Sequence, residues 1–322
     1  MSEVEATIVI PTRDRWNVLR RAALASALAQ EDVSLEIVVV DDGSSDGTHE
    51  HLAVVGDARL RVIRHTHSLG VARARNAGID VATGRWISFL DDDDLWSPRK
   101  LREQIDAATR ADASLVYAAG AAVDADARFL FAVAPPEPRN LARELLRWNV
   151  IWCGCSNVAV RADLLRRVGG FDEELLQLAD WDLWVRLALA GRAAACAEVL
   201  VAYTIHEQSM LLTDERDVFP EFDHLVEKHR QASADYGVEF DKALFTRWVA
   251  RGHRRAGRRR QAVRTYLSGF RRHGDVGGVF RAAGTALGEP AVELGRKLAA
   301  VERRSALRKL AVPEPPWLAR YR

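Results

Sequence analysis

Cysteine is scarce in this sequence, and hydrophobic runs of membrane-spanning length are missing. The three cysteines are Cys153, Cys155 and Cys196, an odd number in which the first two lie too close together to indicate a disulfide framework. A Cys-x-Cys pair also lacks the spacing of a metal site, so buried thiols are expected. The apolar stretch at 193–203 is too short to span a bilayer and contains Glu198.

The sequence also lacks a secretory signal and the common phosphate-binding motifs. Its first five residues have neither a basic start nor an apolar centre, so a cytoplasmic location is expected. No Gly-x-Gly-x-x-Gly follows the first predicted strand, which counts against a dinucleotide enzyme. A Gly-Lys-Ser/Thr phosphate loop is missing as well.

Charge is unevenly distributed, although the formal net charge is only +1. Residues 242–322 contain 20 Lys and Arg against 5 Asp and Glu, whereas residues 1–241 contain 26 against 40. The chain therefore combines an acidic body with a basic end, which indicates an anionic surface or partner for that end. With 322 residues and 48% hydrophobic content, the body can bury a large core in one domain or two.

The most informative stretch is a predicted strand that ends directly in four carboxylates. Residues 86–90 form an apolar run, and Asp91, Asp92, Asp93 and Asp94 follow it without a turn residue. Like charges at a partly buried strand end need cations or hydrogen-bond donors to stay ionised. Because Mg²⁺ and Mn²⁺ prefer oxygen ligands and often bridge to phosphates, we interpret the run as a metal site; a solvated acidic turn is the alternative.

Strands and helices alternate along the first part of the chain. This alternation is typical of an α/β fold with a Rossmann-like, mostly parallel central sheet flanked by helices. Strands are predicted at 7–10, 35–40, 60–63 and 86–90, and helices near 24–30 and 71–81. In such sheets ligands bind outside the carboxyl ends of the strands. Three of these ends carry polar residues: Pro11-Thr12-Arg13, Asp41-Asp42 and the acidic run.

The middle of the chain continues this pattern less regularly. Further elements are predicted there: a helix from 97 to about 109, and strands at 114–117, 121–123 and 157–160. An amphipathic helix begins at Ala179, with Asp180 at its N-terminal end. The helix dipole and the free backbone amides stabilise a carboxylate at that position.

Five motifs occur in a fixed order within residues 5–210. They are Ile10-Pro11-Thr12-Arg13, Val40-Asp41-Asp42-Gly43-Ser44-Ser45-Asp46-Gly47-Thr48, Ala72-Arg73-Ala74-Arg75-Asn76-Ala77-Gly78, Phe89-Leu90-Asp91-Asp92-Asp93-Asp94, and Gly169-Gly170-Phe171-Asp172-Glu173 leading to Asp180-Trp181-Asp182-Leu183. Each motif is weak alone. As an ordered set they resemble the family 2 glycosyltransferases of the GT-A fold.

The resemblance implies a nucleotide-diphosphate-sugar donor, expected to be a UDP- or dTDP-sugar, and a divalent cation, Mg²⁺ or Mn²⁺. Asp180 matches the base that takes the proton from an acceptor hydroxyl, with inversion at the anomeric carbon. The implied donor contacts are Pro11, Thr12, Arg13, Asp41, Asp42, Arg73, Asp91 and Asp92. The implied metal ligands are Asp93, Asp91 and His206. Asp91 and Asp93 are the first and last residues of the Asp-x-Asp motif. Cell-surface polysaccharide or glycoconjugate synthesis is the expected setting.

Some features depart from the family or carry a second interpretation. Glu often precedes the catalytic Asp, but this chain has Ala179, which changes the surroundings that set the pKa of Asp180. Asp180 is alternatively a helix cap, a role compatible with catalysis, and His206 is alternatively structural. The Gln-x-x-Arg-Trp motif and membrane spans of processive synthases are missing, which favours transfer of a single sugar.

We predict a GT-A domain over residues 1–212 and a basic helical region over 213–322, with a helical hairpin around Gly257. The expected acceptor is a glycan, a lipid-linked or a small molecule, and the basic helices are expected to contact an anionic surface at the inner face of the membrane. Nucleic acid is not expected. A scaffold protein that keeps the fold without activity is one alternative. A nucleotidyltransferase is another, although the basic Gly-rich loop after the first strand is missing.

Overall fold

A ten-stranded sheet forms the centre of the structure, a computed structural model that describes residues 3–205, 217–287 and 309–322. Its strands are β1 (Ala6–Thr12), β2 (Leu35–Asp41), β3 (Leu60–Arg64), β4 (Trp86–Phe89), β5 (Leu95–Trp96), β6 (Leu115–Val123), β7 (Phe129–Val133), β8 (Ala159–Arg161), β9 (Ala193–Thr204) and β10 (Lys309–Leu310). The helices before β9 are α1 (Trp16–Arg21), α2 (Ala23–Leu28), α3 (Thr48–Ala53), α4 (Val71–Val81), α5 (Lys100–Arg110), α6 (Leu141–Leu145), α7 (Ala162–Arg167) and α8 (Ala179–Ala190). Those after it are α9 (Phe219–Lys228), α10 (Arg230–Tyr236), α11 (Lys242–Arg255), α12 (Arg259–His273) and α13 (Val276–Leu287).

The first half of the sheet is parallel, as the sequence predicts. Strands β3, β2, β1 and β4 lie side by side in this order, and the apolar runs of β1, β2 and β4 are almost wholly buried between the covering layers. The register pairs Thr12 with Asp41 and Val9 with Phe89. The polar residues that follow these strands therefore meet along one edge of the sheet, and the α/β fold class is confirmed.

The second half of the sheet mixes parallel and antiparallel pairs. Strand β8 runs antiparallel between β4 and β6, while β9 is parallel to β6 and antiparallel to β5. The prediction of two strands at 114–117 and 121–123 is wrong, because β6 continues through Ala118-Ala119-Gly120. A Cβ at Gly120 would lie 2.5 Å from Cys153 Sγ, so close packing, not a turn, requires the small residue there.

Two of the helices after β9, α9 and α11, join the core beside α8 through aromatic side chains. The rings of Phe222 in α9 and Phe245 in α11 stack with their centroids 3.9 Å apart, and the Phe222 centroid lies 6.0 Å from that of Trp181 in α8. The predicted hairpin is confirmed, since α11 and α12 flank Gly257, whose φ of +72° lies in the region that favours glycine. No helix in the described part of the chain is long and apolar enough to cross a bilayer.

The last residues of the chain return to the sheet. Strand β10 pairs antiparallel with β7, and Leu318, in the 3₁₀ helix Pro316–Tyr321, is fully buried. Trp317 Nε1 donates a hydrogen bond to the Val199 carbonyl oxygen at 2.9 Å. Segments before and after the predicted domain boundary at residues 212 and 213 thus pack on the same sheet. The division into two domains at that boundary stays a prediction.

Candidate active site

The acidic run begins where β4 ends. Ser156, in the 3₁₀ turn Gly154–Asn157, joins both ends of this run, because its hydroxyl accepts a hydrogen bond from the Asp91 amide (3.0 Å) and donates to Asp94 Oδ2 (2.6 Å). Asp94 is fully buried and also accepts from the Thr204 amide at 3.0 Å. Burial, together with the charges of Asp93 and Asp91, raises the pKa of Asp94 well above its usual range. Asp94 therefore serves to anchor the run rather than to face a ligand.

Residues from the end of β1 hold the middle of the run. The Thr12 hydroxyl donates to Asp92 Oδ2 at 2.8 Å, and Arg15 makes ion pairs with Asp92 Oδ1 (2.8 Å) and Asp93 Oδ2 (2.9 Å). Burial and the neighbouring charge of Asp93 raise the pKa of Asp92 to about 7, although Arg15 opposes the shift. Burial and the neighbouring carboxylate thus outweigh the effect of Arg15 on Asp92.

Arg75 is a site residue that the sequence reasoning missed. Its guanidinium is buried, its Nη2 lies 2.5 Å from Asp91 Oδ1, and its Cζ lies 5.3 Å from the centroid of the Phe171 ring. The predicted contact, Arg73, has a half-exposed side chain whose Nε pairs with Glu173 at 3.0 Å. The signal lay in the helical spacing, because Arg75 falls in the buried stripe of α4 with Ala72 and Ile79.

Two carboxylates follow β2, and the structure gives them different surroundings. Asp42 accepts hydrogen bonds from the Ser68 hydroxyl and the Leu69 and Gly70 amides at 2.7–3.0 Å, and its Oδ1 lies 2.7 Å from His65 Nδ1. Burial raises the pKa of Asp42, but these partners outweigh it and hold the value below its usual range. Asp42 thereby organises the loop before α4.

Asp41 is fully buried and less completely paired. Its Oδ1 accepts from the Ser44 amide at 2.9 Å, whereas its buried Oδ2 has no hydrogen bond among the described residues. The nearest cation, Arg64, places its Nε at 3.8 Å, beyond hydrogen-bonding distance. Because a buried carboxylate oxygen without a donor is unfavourable, Asp41 has the acceptor capacity that a ligand hydroxyl needs.

Asp180 lies at the first turn of α8, as predicted. Its Oδ1 accepts from the Trp181 amide at 2.6 Å, and Asn149 Nδ2 lies 3.5 Å from its Oδ2. Burial raises the pKa of Asp180 to about 6, although the positive charge of Arg75 lowers it. A carboxylate with this pKa is mostly ionised at neutral pH and accepts a proton more readily than an ordinary aspartate.

A tight backbone turn lies next to the Asp180 carboxylate. Cys153 and Gly154 both have left-handed φ values, +65° and +48°, and a Cβ at Gly154 would lie 3.3 Å from Asp180 Oδ2. Ala179, at the position for which the family resemblance implies Glu, is buried in the core. Asp182, two residues further along α8, belongs to a separate buried network with Arg186, Lys228 and His229.

The remaining predicted residues are less informative about the site. Pro11 is buried at the end of β1, whereas the Arg13 side chain is 57% exposed and pairs with Asp14 at 3.4 Å. His206 lies outside the described residues. The structure therefore brings Thr12 into direct contact with Asp92, and Arg15 joins Asp92 to Asp93. Through Arg75 it places Asp91 and Asp180 within electrostatic range of each other.

The acidic run fits a hard divalent cation by its chemistry. Its carboxylate oxygens are the ligands that Mg²⁺ and Mn²⁺ prefer, and a cation would relieve the repulsion among the carboxylates that, after burial, raises the pKa values of Asp92 and Asp94. Among the residues that the structure describes, however, no three His, Cys, Asp or Glu side chains are grouped to hold a metal ion. The two carboxylates of Asp91 and Asp93 would need further ligands from a bound diphosphate.

Comparison with known proteins agrees with this geometry. The sequence model of the family described as "Glycosyl transferase family 2" matches residues 7–169. The succinoglycan biosynthesis protein ExoO of Rhizobium meliloti is 34% identical over 217 residues. The match covers 64% of this chain and 62% of the relative. The match thus spans less than two thirds of that relative.

A second relative and a solved structure add to the comparison. The Escherichia coli protein WfgD, named a UDP-Glc:alpha-D-GlcNAc-diphosphoundecaprenol beta-1,3-glucosyltransferase, is 27% identical over 65% of this chain and 81% of its own. The mannosyltransferase PcManGT from Pyrobaculum calidifontis, solved with GDP-Man and Mn²⁺, superimposes with a TM-score of 0.56 at 20% identity, over 94% of this chain and 81% of its own. At that identity the structural likeness shows the shared fold alone.

Proposed function

The chain belongs to glycosyl transferase family 2, and from this membership we propose that it transfers a single sugar from a nucleotide-diphosphate donor to an acceptor hydroxyl, with inversion. The observation that carries the proposal is the position of Asp180. A carboxylate with a raised pKa lies within electrostatic range of the acidic edge of the sheet, with the buried cation Arg75 near both. A base and a charge-binding site side by side are what an attack on a sugar diphosphate requires.

We propose that the ends of β1 and β2 bind the nucleoside. Pro11, Thr12 and Asp41 line this part of the edge, and the unpaired Oδ2 of Asp41 would accept a hydrogen bond from a ribose hydroxyl. Asp92, already bonded to Thr12, would lie near the same ribose. A uracil or thymine base is proposed because the relative WfgD is named for a UDP-glucose donor.

The diphosphate is proposed to bind at Arg75 and the acidic run. Asp91 and Asp93 would hold Mg²⁺ or Mn²⁺, with His206 as a further candidate ligand, and the bound cation supplies charge compensation for the departing diphosphate. Arg75 pairs with Asp91 and adds a second positive group beside it. Arg13, Arg73 and Asp42 stay candidates from the sequence; Arg73 and Asp42 already have partners in the protein.

Asp180 is proposed to act as the general base. Its Oδ2 would take the proton from the acceptor hydroxyl as that oxygen attacks the anomeric carbon. Because the attack displaces the diphosphate in one step, the new bond forms on the face opposite the leaving group, which inverts the configuration. The contact from Asn149 and the tight turn at Gly154 would fix the carboxylate for this role.

We propose a lipid-linked glycan as the acceptor, used at the membrane surface in polysaccharide synthesis. The name of ExoO refers to succinoglycan biosynthesis, and that of WfgD to a sugar on diphosphoundecaprenol. The basic C-terminal helices of this chain suit an anionic surface on which such an acceptor lies.

Replacement of the base tests the proposed reaction. We expect Asp180→Asn to lower the rate of sugar transfer to diphosphoundecaprenol-linked GlcNAc by about 100-fold or more, because general-base catalysis contributes on that scale. Donor binding, measured as the rise in thermal midpoint with UDP-sugar, should be retained. The exposed Asp163, paired with Arg161, provides a matched Asp163→Asn control. Full activity in Asp180→Asn would contradict the assignment.

A further inference from the structure

Helix α13 is apolar on the face that does not pack against the protein. Its buried positions are Gly278, Ala282 and Thr285. On its outer face, Val276 is 59% exposed, Val279 36% and Phe280 74%. These three residues have the i, i+3, i+4 spacing that places side chains together on one side of a helix.

Such a grouping differs from the single exposed apolar residues of ordinary protein surfaces. Residues 276–287 contain no Asp, Glu or Lys, and their one charged residue is Arg281. Phe270, near the end of the preceding helix α12, is also 41% exposed. Exposed apolar side chains grouped on one helix face, Phe280 among them, mark an interaction surface.

The neighbouring charge is positive. Arg281 of this helix and two arginines of α11, Arg247 and Arg255, each lie within electrostatic range of a third arginine of α11, Arg251. Burial lowers the pKa of Arg251, and the other three guanidinium groups lower it further. Because like charges gathered in this way repel, an anionic partner would stabilise the arrangement.

We propose that the outer face of α13, with the arginines beside it, docks the protein onto a bilayer that contains anionic lipid. Val276, Val279 and Phe280 would enter the boundary between headgroups and acyl chains, and the guanidinium groups would contact lipid phosphates. This combination of an apolar face and flanking cations is that of an interfacial helix. The proposal rests on the proposed function in one respect, since a lipid-linked acceptor requires the enzyme at a membrane.

Charge favours lipid over the other occupants of such a face. A second copy of the chain docked through α13 would bring two sets of these arginines together, and their repulsion would oppose the contact. Nucleic acid would satisfy the arginines, and a base could stack on Phe280, but it would provide no apolar medium for Val276 and Val279. An anionic bilayer provides both chemistries at one surface.

Cosedimentation with vesicles tests the docking surface in the full chain. We expect the protein to bind phosphatidylglycerol vesicles at least about tenfold more tightly than phosphatidylcholine vesicles, since each arginine near an anionic surface adds about 1 kcal/mol. Phe280→Ser should weaken binding by about tenfold through lost apolar burial, and Arg281→Gln by about fivefold. Val54→Ser and Arg61→Gln are matched controls, because Val54 is 81% exposed and Arg61 lies on an exposed position of β3.

The result that overturns the proposal is equal binding to both vesicle types, or wild-type binding by both Phe280→Ser and Arg281→Gln. Sedimentation equilibrium without lipid adds an independent check. If Phe280→Ser converts a dimer into a monomer and leaves vesicle binding unchanged, the face joins two copies of the chain and the lipid proposal is wrong. The thermal shift with UDP-sugar separates the two proposals, because it reports the donor site and does not depend on vesicles.

Discussion

The ionisation of Asp180 gives the site its expected pH dependence. Burial raises the pKa of Asp180 to about 6, and only the deprotonated form accepts a proton from an acceptor. The transfer rate should therefore be constant near pH 8 and should fall tenfold per pH unit below about pH 6. Initial rates between pH 5 and 8 with saturating donor and acceptor measure this fall in the transfer rate. A rate that is independent of pH across this range would exclude Asp180 as the base.

Arg73 and Arg75 are alternative candidates for the donor contact. The sequence motif indicates Arg73, whereas the structure favours Arg75. We expect Arg75→Gln to weaken UDP-sugar binding and to slow transfer by at least about tenfold, because a buried cation beside Asp91 is lost. Arg73→Gln should change both values less than about twofold, since its partner Glu173 is surface-exposed. Isothermal titration with the donor and initial rates provide the two readouts. The reverse order of effects would restore Arg73 as the donor contact.

Single residues also show what the sequence could and could not predict. Asp91 to Asp94 and Asp180 are found where their motifs predict them, because strand ends and helix starts are local features. Ser156 and Asn149 carry no local signal, and their roles arise from contacts 65 and 31 residues away in the chain. Arg75 was recoverable, since it has the i, i+3 and i, i+4 spacing to the apolar Ala72 and Ile79, whereas Arg73 points about 200° away from Arg75 on the helix.

At the scale of elements, a buried charge network joins α8 to the C-terminal helices. Asp182 is fully buried, and its oxygens lie 2.7 Å from Arg186 Nη2, 3.0 Å from Lys228 Nζ and 2.9 Å from His229 Nε2. Burial raises the pKa of Asp182, but these partners outweigh it and hold the value well below the usual range. Because the folded pKa is lowered, the network's contribution is present at neutral pH and is lost as the pH falls below about 4.

Removal of this charge should destabilise the fold. We expect Asp182→Asn to lower the free energy of unfolding by about 3 kcal/mol at pH 7, because Arg186 and Lys228 lose their buried partner. Urea denaturation at pH 7 measures the loss. Asp163→Asn, which removes a surface ion pair, should cost less than about 1 kcal/mol in the same experiment. Equal losses in the two variants would show that the network does not stabilise the α8 contact.

Elements with strong local patterns were predicted well, and those that depend on distant contacts were not. The parallel strands and α4 follow from apolar runs and helical spacing. Strand β6 was split at Ala118-Ala119-Gly120, because small residues that fit under Cys153 and Trp152 resemble a break when only the sequence is read. Strand β7 was missed, and β10 pairs with it from more than 170 residues away, which no local pattern indicates.

The whole molecule combines an acidic sheet edge, where we propose that the nucleotide binds, with a basic helical end. Helices α9 and α11 share the aromatic core around Trp181, and α13 packs on α11 and α12 in a second small cluster of Ala250, Tyr266 and Ala282, so α13 is positioned relative to α8 through these helices. A docking surface on α13 would thereby orient the active site with respect to the membrane.

The most direct measurement is the thermal midpoint of the full chain with UDP, dTDP and GDP, each with and without Mn²⁺. A ligand that binds only the folded state raises the midpoint, by a free energy of about 2.7 kcal/mol at 100 times its dissociation constant. The account predicts a shift with UDP or dTDP that requires Mn²⁺ and is lost in Asp93→Ala. No shift with any of the three nucleotides, or a shift that is the same without the metal, would contradict it.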